Sequence, residues 1–192
     1  MSQAEWAAQT ARLFLQNQLP VRWAHSQAVA AQARTLKPVL GSDADLLEAA
    51  AWLHDIGYSP ELAVTGFHPL DGARFLRDVA HADEALCRLV AHHSFAIVEA
   101  GQRGVADDLA AEFARPRPDL DEALIYCDMT GGRDGVVTTV DDRLAEIFSR
   151  YAPDHPVTHA MRHAAPALTG TVHVIQARMA LATARSDVAA AG

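Results

Sequence analysis

The chain has 192 residues, enough for one domain with a buried core, and its 50% hydrophobic and 21% charged residues are the balance of a globular rather than a disordered protein. A formal net charge of −8, from 16 basic and 24 acidic residues, argues against a surface built to grip a nucleic-acid polymer or an anionic membrane, both of which select basic patches. No apolar run approaches the ~20 residues that span a bilayer. Cys87 and Cys127 stand far apart and form no CxxC pair, which fits a reducing compartment. The opening MSQAEWAAQTARLF is amphipathic with an early Glu5 rather than a charged-then-apolar leader, so the expected location is cytoplasmic.

Alanine, leucine and arginine dominate and alternating β-branched runs are almost absent, so the reading is all-α, in one domain covering 1–192 without internal repeats. A first helix is expected over 2–18. Pro20 suits the first turn of a second, which ends before Pro38. Ser42 caps a third, with Asp45 three residues on, and Gly57 closes it. Pro69 starts a fourth and a fifth covers 83–98. Gly101 and Gly104 mark a loop. RPRPD at 115–119 breaks the chain before a helix through Asp128, and GGRDG at 131–135 reads as a turn. VVTTV at 136–140 is the one candidate strand. Thr139 caps a helix through Arg150, Pro156 opens a C-terminal helical region interrupted at Pro166, and the last few residues read as a frayed tail.

Helical periodicity places polar groups on apolar faces. Val21, His25, Ala28, Val29 and Leu36 share a face of the second helix. Leu46, Ala50, Leu53 and His54 share one of the third. Leu86, Leu89, Val90, His93 and Ile97 share one of the fifth, and Leu120, Leu124 and Asp128 another before Gly131. A buried ionised carboxylate needs a cation, and Asp55 and Asp128 have few basic residues on the same faces. A lone inward histidine is usually a hydrogen-bonded core residue, but His and Asp converging from four helices fit a shared metal, since imidazole and carboxylate are the usual protein ligands of Zn, Fe and Mn. His93 lies on the apolar stripe and His92 sits ~100° away, so His93 is favoured, with both available if the helix ends there. His68, before Pro69, also reads as a helix-start residue. His155, His159 and His163 recur every four residues on what reads as a solvated or interfacial face, and Trp23 and Trp52 read as core packing.

The order His25, His54-Asp55, His68, His92-His93, Asp128 resembles the HD-domain superfamily of metal-dependent phosphohydrolases over about residues 20–131, leaving C-terminal helices at about 139–187. The segments TGFHPLDGARFL, VAHHSFA and ALIYCDMTGGRDG resemble small bacterial HD-domain proteins. The resemblance implies a helical HD fold with one or two divalent transition-metal ions (Mn, Fe, Zn or Ni). His25, His54, Asp55 and Asp128 would hold the first ion and His68, His92 and His93 the second, with Asp55 bridging. Asp55, His68 and Asp128 would take the catalytic roles. The pattern is that of the dinuclear branch, without the GYP motif of the cyclic-dinucleotide phosphodiesterases. Many dinuclear members carry a phosphate-contacting lysine where this chain has Tyr58, which brings no positive charge. Arg74, Arg77 and Arg133 are candidates to replace it. The expected substrate is a small phosphorylated metabolite or a nucleotide, with no polymer or membrane partner and a homo-oligomer compatible. The alternatives are a mixed-valent diiron oxygenase on the same fold and a non-catalytic nucleotide-sensing module.

Overall fold

The computed structural model describes residues 1–190, with side chains through Arg185. The helices are α1 (Gln3–Leu15), α2 (Pro20–Thr35), α3 (Lys37–Leu40), α4 (Ala44–Leu53), α5 (His68–Asp78), α6 (Glu84–His92), α7 (Ala96–Arg103), α8 (Ala106–Glu112), α9 (Pro118–Thr130), α10 (Val140–Arg150) and α11 (Pro156–Ala190), with 3-10 turns at Gly41–Asp43, Ile56–Tyr58 and His93–Phe95. No strand occurs among the described residues: VVTTV contributes only an isolated antiparallel bridge between Gly131 and Val137. Helix α11 runs through Ala190, into the tail expected to fray, and residues 191–192 lie outside the described residues.

Packing centres on α4, which is apolar on nearly every side and buries Leu47, Ala49, Ala50, Ala51, Trp52 and Leu53. Its alanines let α1, α2, α6 and α9 lie against it. On α1, Ala4, Ala7, Ala11 and Leu15 form the buried stripe, and a capping box of Ser2 and Glu5 starts the helix. Trp23 stacks on Trp52 with ring centroids 5.3 Å apart, and both belong to the packed interior.

Several local expectations are corrected. Ser42 caps nothing, because Gly41–Asp43 forms a 3-10 turn. Asp45 instead accepts from the Gln3 and Ala4 amides at 2.9 and 3.3 Å, tying α4 to the start of α1. Pro166 does not interrupt α11. It is exposed, so the carbonyl one turn back that lacks an amide partner stays open to water. Val21 is 44% exposed and off the buried face of α2. The fifth expected helix stops at His92, because Ser94 (φ 49°) and Phe95 (φ 60°) are left-handed, and α7 starts afresh at Ala96. No Gly or Pro marks this break, which costs about 1–3 kcal/mol per residue and requires tertiary support.

Two glycines permit close approaches. A Cβ on Gly57 would lie 2.1 Å from the His68 carbonyl oxygen and 2.6 Å from the Gly72 amide. One on Gly131 would lie 2.8 Å from Val29 Cγ2 and 2.9 Å from the Val29 amide nitrogen. The first contact sets α5 against the His54-Asp55 turn. The second sets the end of α9, carrying Asp128, against α2, carrying His25.

Candidate metal centre

Five chain segments meet in one buried cluster. His25 comes from the middle of α2, His54 and Asp55 from the end of α4, His68 from the first residue of α5, His93 from the turn after α6, and Asp128 from the last turn of α9. All are buried except His68, which is partly so. Ligand atoms of His25, His54 and Asp128 lie within 4.8 Å of one another, as do those of Asp55, His68 and His93. Asp55 joins the two triads. Its Oδ1 is 3.3 Å from His68 Nε2, and its Oδ2 is 3.6 Å from His54 Nε2 and 4.0 Å from His25 Nε2. His25 Nε2 is 3.0 Å from Asp128 Oδ1, and His68 Nε2 is 3.2 Å from His93 Nε2.

Local backbone fixes the imidazoles. His54 Nδ1 lies 2.8 Å from the Ala51 carbonyl and His93 Nδ1 2.7 Å from that of Val90, so each proton sits on Nδ1 and each Nε2 presents a lone pair to the cluster. Burial pushes His68 down to about 3 and also lowers His93, so both are neutral near pH 7. Burial opposes charge on Asp55 and Asp128 as well. Arg22, His54 and His68 nevertheless hold Asp55 far below the usual carboxylate range, and His25, His54 and Arg143 do the same for Asp128. The buried Asp71 carboxylate clasps the loop before α5, accepting from the Val64, Thr65 and Gly66 amides at 3.0–3.2 Å, and so steadies His68.

The donor set fits a metal. Buried His54 Nε2 has no hydrogen-bond partner. His25 Nε2 faces both the Asp128 carboxylate at 3.0 Å and the Arg143 guanidinium at 3.1 Å. A single ring nitrogen cannot donate to the first while accepting from the second. A cation among the acceptors resolves both, and neutral imidazoles with ionised carboxylates are what divalent transition metals select.

The remaining sequence-predicted residues divide between the site and its surroundings. His92 turns away from the cluster, with Nε2 2.7 Å from the Phe113 carbonyl. The end of the helix at His92 thus brings in His93 without its neighbour. Arg74 and Arg77 both bind Glu112, and Arg77 also binds Asp78. Neither lines the cavity over the cluster, because α5 turns its N-terminus, and not these later turns, toward it. Arg133 lines an outer groove of about 580 Å³ and also, with Arg22, His25, Arg143 and Arg150, a smaller pocket of about 190 Å³ beside the cluster. Tyr58 does reach the cavity: its ring stacks on His68 with centroids 3.8 Å apart, and the Arg22 guanidinium lies over the ring at 3.8 Å from its centroid. Burial pushes the Tyr58 phenol up, so it stays neutral. His159 and His163 are exposed and His155 half-buried, and none of the three lines the cavity.

Sequence reasoning missed the arginines that serve the two carboxylates. Arg22 Nη1 is 2.7 Å from Asp55 Oδ2. Arg143, buried on α10, is 3.5 Å from Asp128 Oδ1. The expectation that few basic residues attend these carboxylates is therefore corrected. Arg22 was legible, three positions before His25 on one helical face. Arg143 was not, since only tertiary packing brings α10 over the cluster, beyond the expected core of 20–131. Ser94 was also missed: its left-handed backbone lets Oγ donate to Asp128 Oδ2. Arg150, Tyr151 and the buried Glu99 complete the polar wall of a cavity of about 70 Å³.

An all-α bundle gathering His and Asp ligands at the ends of its helices defines a class of metal-site proteins. The HD domain family matches residues 22–129, and the chain belongs to that family. HD domains form a superfamily of metal-dependent phosphohydrolases. The chain is also similar to ribonuclease Y of Rhodopirellula baltica, 35% identical over 75 residues, which are 39% of this chain and 14% of that protein. The chain thus spans a small part of that relative's length. No solved structure matches.

These contacts separate the paired histidines. His93→Ala is expected to lower bound metal by about one ion per chain. His92→Ala should leave metal content unchanged and lose only a neutral hydrogen bond, net about 0.5–1.5 kcal/mol, together with some packing. Elemental analysis alongside thermal melts checks this, and equal metal loss in both variants would contradict the assignment.

Proposed function

We propose that the protein is a metal-dependent phosphohydrolase that releases phosphate from a small phosphorylated metabolite or a nucleotide. Asp55 is the observation that carries the reading, since its two oxygens face two adjacent ligand triads at the floor of a cavity walled by arginines. His25, His54 and Asp128 would hold one ion, His68 and His93 a second, and Asp55 both. Bound divalent metal supplies a water acidified from 15.7 to ~7 and Lewis acidity toward phosphoryl oxygens.

The chain's own residues then divide the work. Asp55 keeps the two ligand sets at fixed separation. His68 is partly exposed and sits at the cavity floor, where its imidazole, stacked on Tyr58 and 3.3 Å from Asp55 Oδ1, would serve the second ion. Arg22 and Arg143 offer forked donors matched to phosphoryl oxygens. The cavity of about 70 Å³ suits a phosphoryl group more than a whole nucleoside, since pockets enclosing drug-sized ligands span roughly 300–1,000 Å³. The rest of the substrate would project outward. The similar Rhodopirellula protein is by name a ribonuclease, but the −8 charge and the small cavity favour a small substrate here.

The test is phosphate release from sugar phosphates, nucleoside monophosphates, cyclic nucleotides, dinucleoside polyphosphates and a short RNA, each with Mn or Fe. Release from one of the small esters is expected. No release from any of them by metal-loaded protein, with oxygen-dependent turnover on iron, would move the assignment to an oxygenase. In the same assay Tyr58→Phe should retain activity within about threefold, because the ring that stacks on His68 remains and at most one neutral hydrogen bond is lost. Tyr58→Ala, which removes that ring, should lose more.

A further inference from the structure

Arg143 combines three features that its ion pairing leaves unexplained. Its Nη2 lies 3.1 Å from His25 Nε2, the nitrogen that also lies 3.0 Å from Asp128 Oδ1. Its Nε is buried without a hydrogen-bond partner. Its side chain lines both the cavity over the cluster and the outer groove of about 580 Å³. A neutral imidazole nitrogen either accepts a hydrogen bond or ligates a metal; one lone pair cannot do both. If His25 ligates through Nε2, the contact from Arg143 must end.

We infer that Arg143 is an exchangeable plug and an anion-binding residue: its guanidinium competes with metal for the His25 ligand position, and metal binding frees it to hold a phosphoryl group of the substrate. The inference rests on the metal reading above. The released group has somewhere to go. Its Nη1 is held 2.7 Å from Glu146 Oε2, a tether that keeps the guanidinium at the cavity wall while Nη2 and Nε turn to a ligand. Release also answers a charge problem, because a divalent cation among His25, His54 and Asp128 would repel a guanidinium 3.5 Å from Asp128 Oδ1. The freed fork beside the ions presents planar donors to a tetrahedral anion, the geometry for which arginine is suited. Metal and phosphate should then bind with positive coupling.

Calorimetric titration of the full chain with Mn²⁺ alone, then of the Mn²⁺-loaded protein with inorganic phosphate, separates this from a structural role. Arg143→Gln should bind Mn²⁺ at least about threefold more tightly than wild type, since a competitor for His25 is gone. It should bind phosphate about 10- to 100-fold more weakly, the effect of losing hydrogen bonds to a charged group. A merely structural arginine predicts weaker Mn²⁺ binding instead, and that result overturns the inference, as does unchanged phosphate affinity. If Arg143→Gln does not fold, Arg143→Lys tests the same point. Its point charge lacks the fork and should lose phosphate affinity by several-fold without losing Mn²⁺, and wild-type phosphate affinity in it overturns the inference. Arg74→Gln, paired with Glu112 away from the cavity, should change neither affinity. Wild-type protein that takes up no Mn²⁺ removes the metal reading itself, whereas wild type that binds Mn²⁺ beside an Arg143→Gln indistinguishable from it removes this inference alone.

Discussion

Asp55→Ala is expected to abolish phosphate release, by at least about three orders of magnitude or ~4 kcal/mol in the barrier, and to reduce bound metal below one ion per chain. The carboxylate stands 3.3 Å from His68 Nε2 on one oxygen and 3.6 Å from His54 Nε2 on the other, so its loss dismantles both ligand sets together. His68→Ala removes a member of one triad only and should leave about one ion bound, with a smaller loss of turnover. Stability complicates the alanine variant, because it strands the largely buried Arg22 guanidinium, a change costing about 3–5 kcal/mol. Asp55→Asn controls for that, since its amide oxygen still accepts from Arg22 while the side chain carries no charge. Elemental analysis and the phosphate assay on both variants are the check. Either variant with wild-type metal content and turnover would falsify the assignment of Asp55 as the bridge.

Gly57→Ala is expected to lower stability by at least about 3 kcal/mol, a fall in melting temperature of about 6–12 °C for a chain of this length. Backbone atoms of His68 and Gly72 occupy the space its Cβ would need, and backbone cannot rotate aside as a side chain can. Relief requires α5 to move away from the Ile56–Tyr58 turn, carrying His68 away from Asp55. The variant should therefore lose metal selectively from the Asp55–His68–His93 triad even at temperatures where it remains folded. Thermal melts followed by metal analysis of the folded protein test both parts, and an unchanged melting temperature would contradict the prediction.

The two variants mark the division between what residue order and tertiary structure each contribute. The all-α class was legible because apolar residues recur at helical spacing with Pro and Gly as punctuation, and α1, α2 and α10 begin within a residue or two of where the sequence puts them. Most of the cluster was legible too, because His25, His54, His93 and Asp128 each lie on an apolar stripe, a position that a polar side chain keeps only with a partner. Those signals are local and travel with the chain. The break at Ser94-Phe95 has no local signal, since neither residue favours a left-handed backbone; it persists because His93 and Ser94 are held in the cluster after α6 ends. The exclusion of His92, the withdrawal of Arg74 and Arg77 to Glu112, and the arrival of Arg143 from α10 were likewise set by which helices pack together. Sequence alone determined that this chain is helical and that its buried histidines and aspartates need a common partner. Only the tertiary structure decided which of them share one space and which arginines face it, because helical periodicity fixes the direction of a side chain on its own helix but not the neighbour it meets.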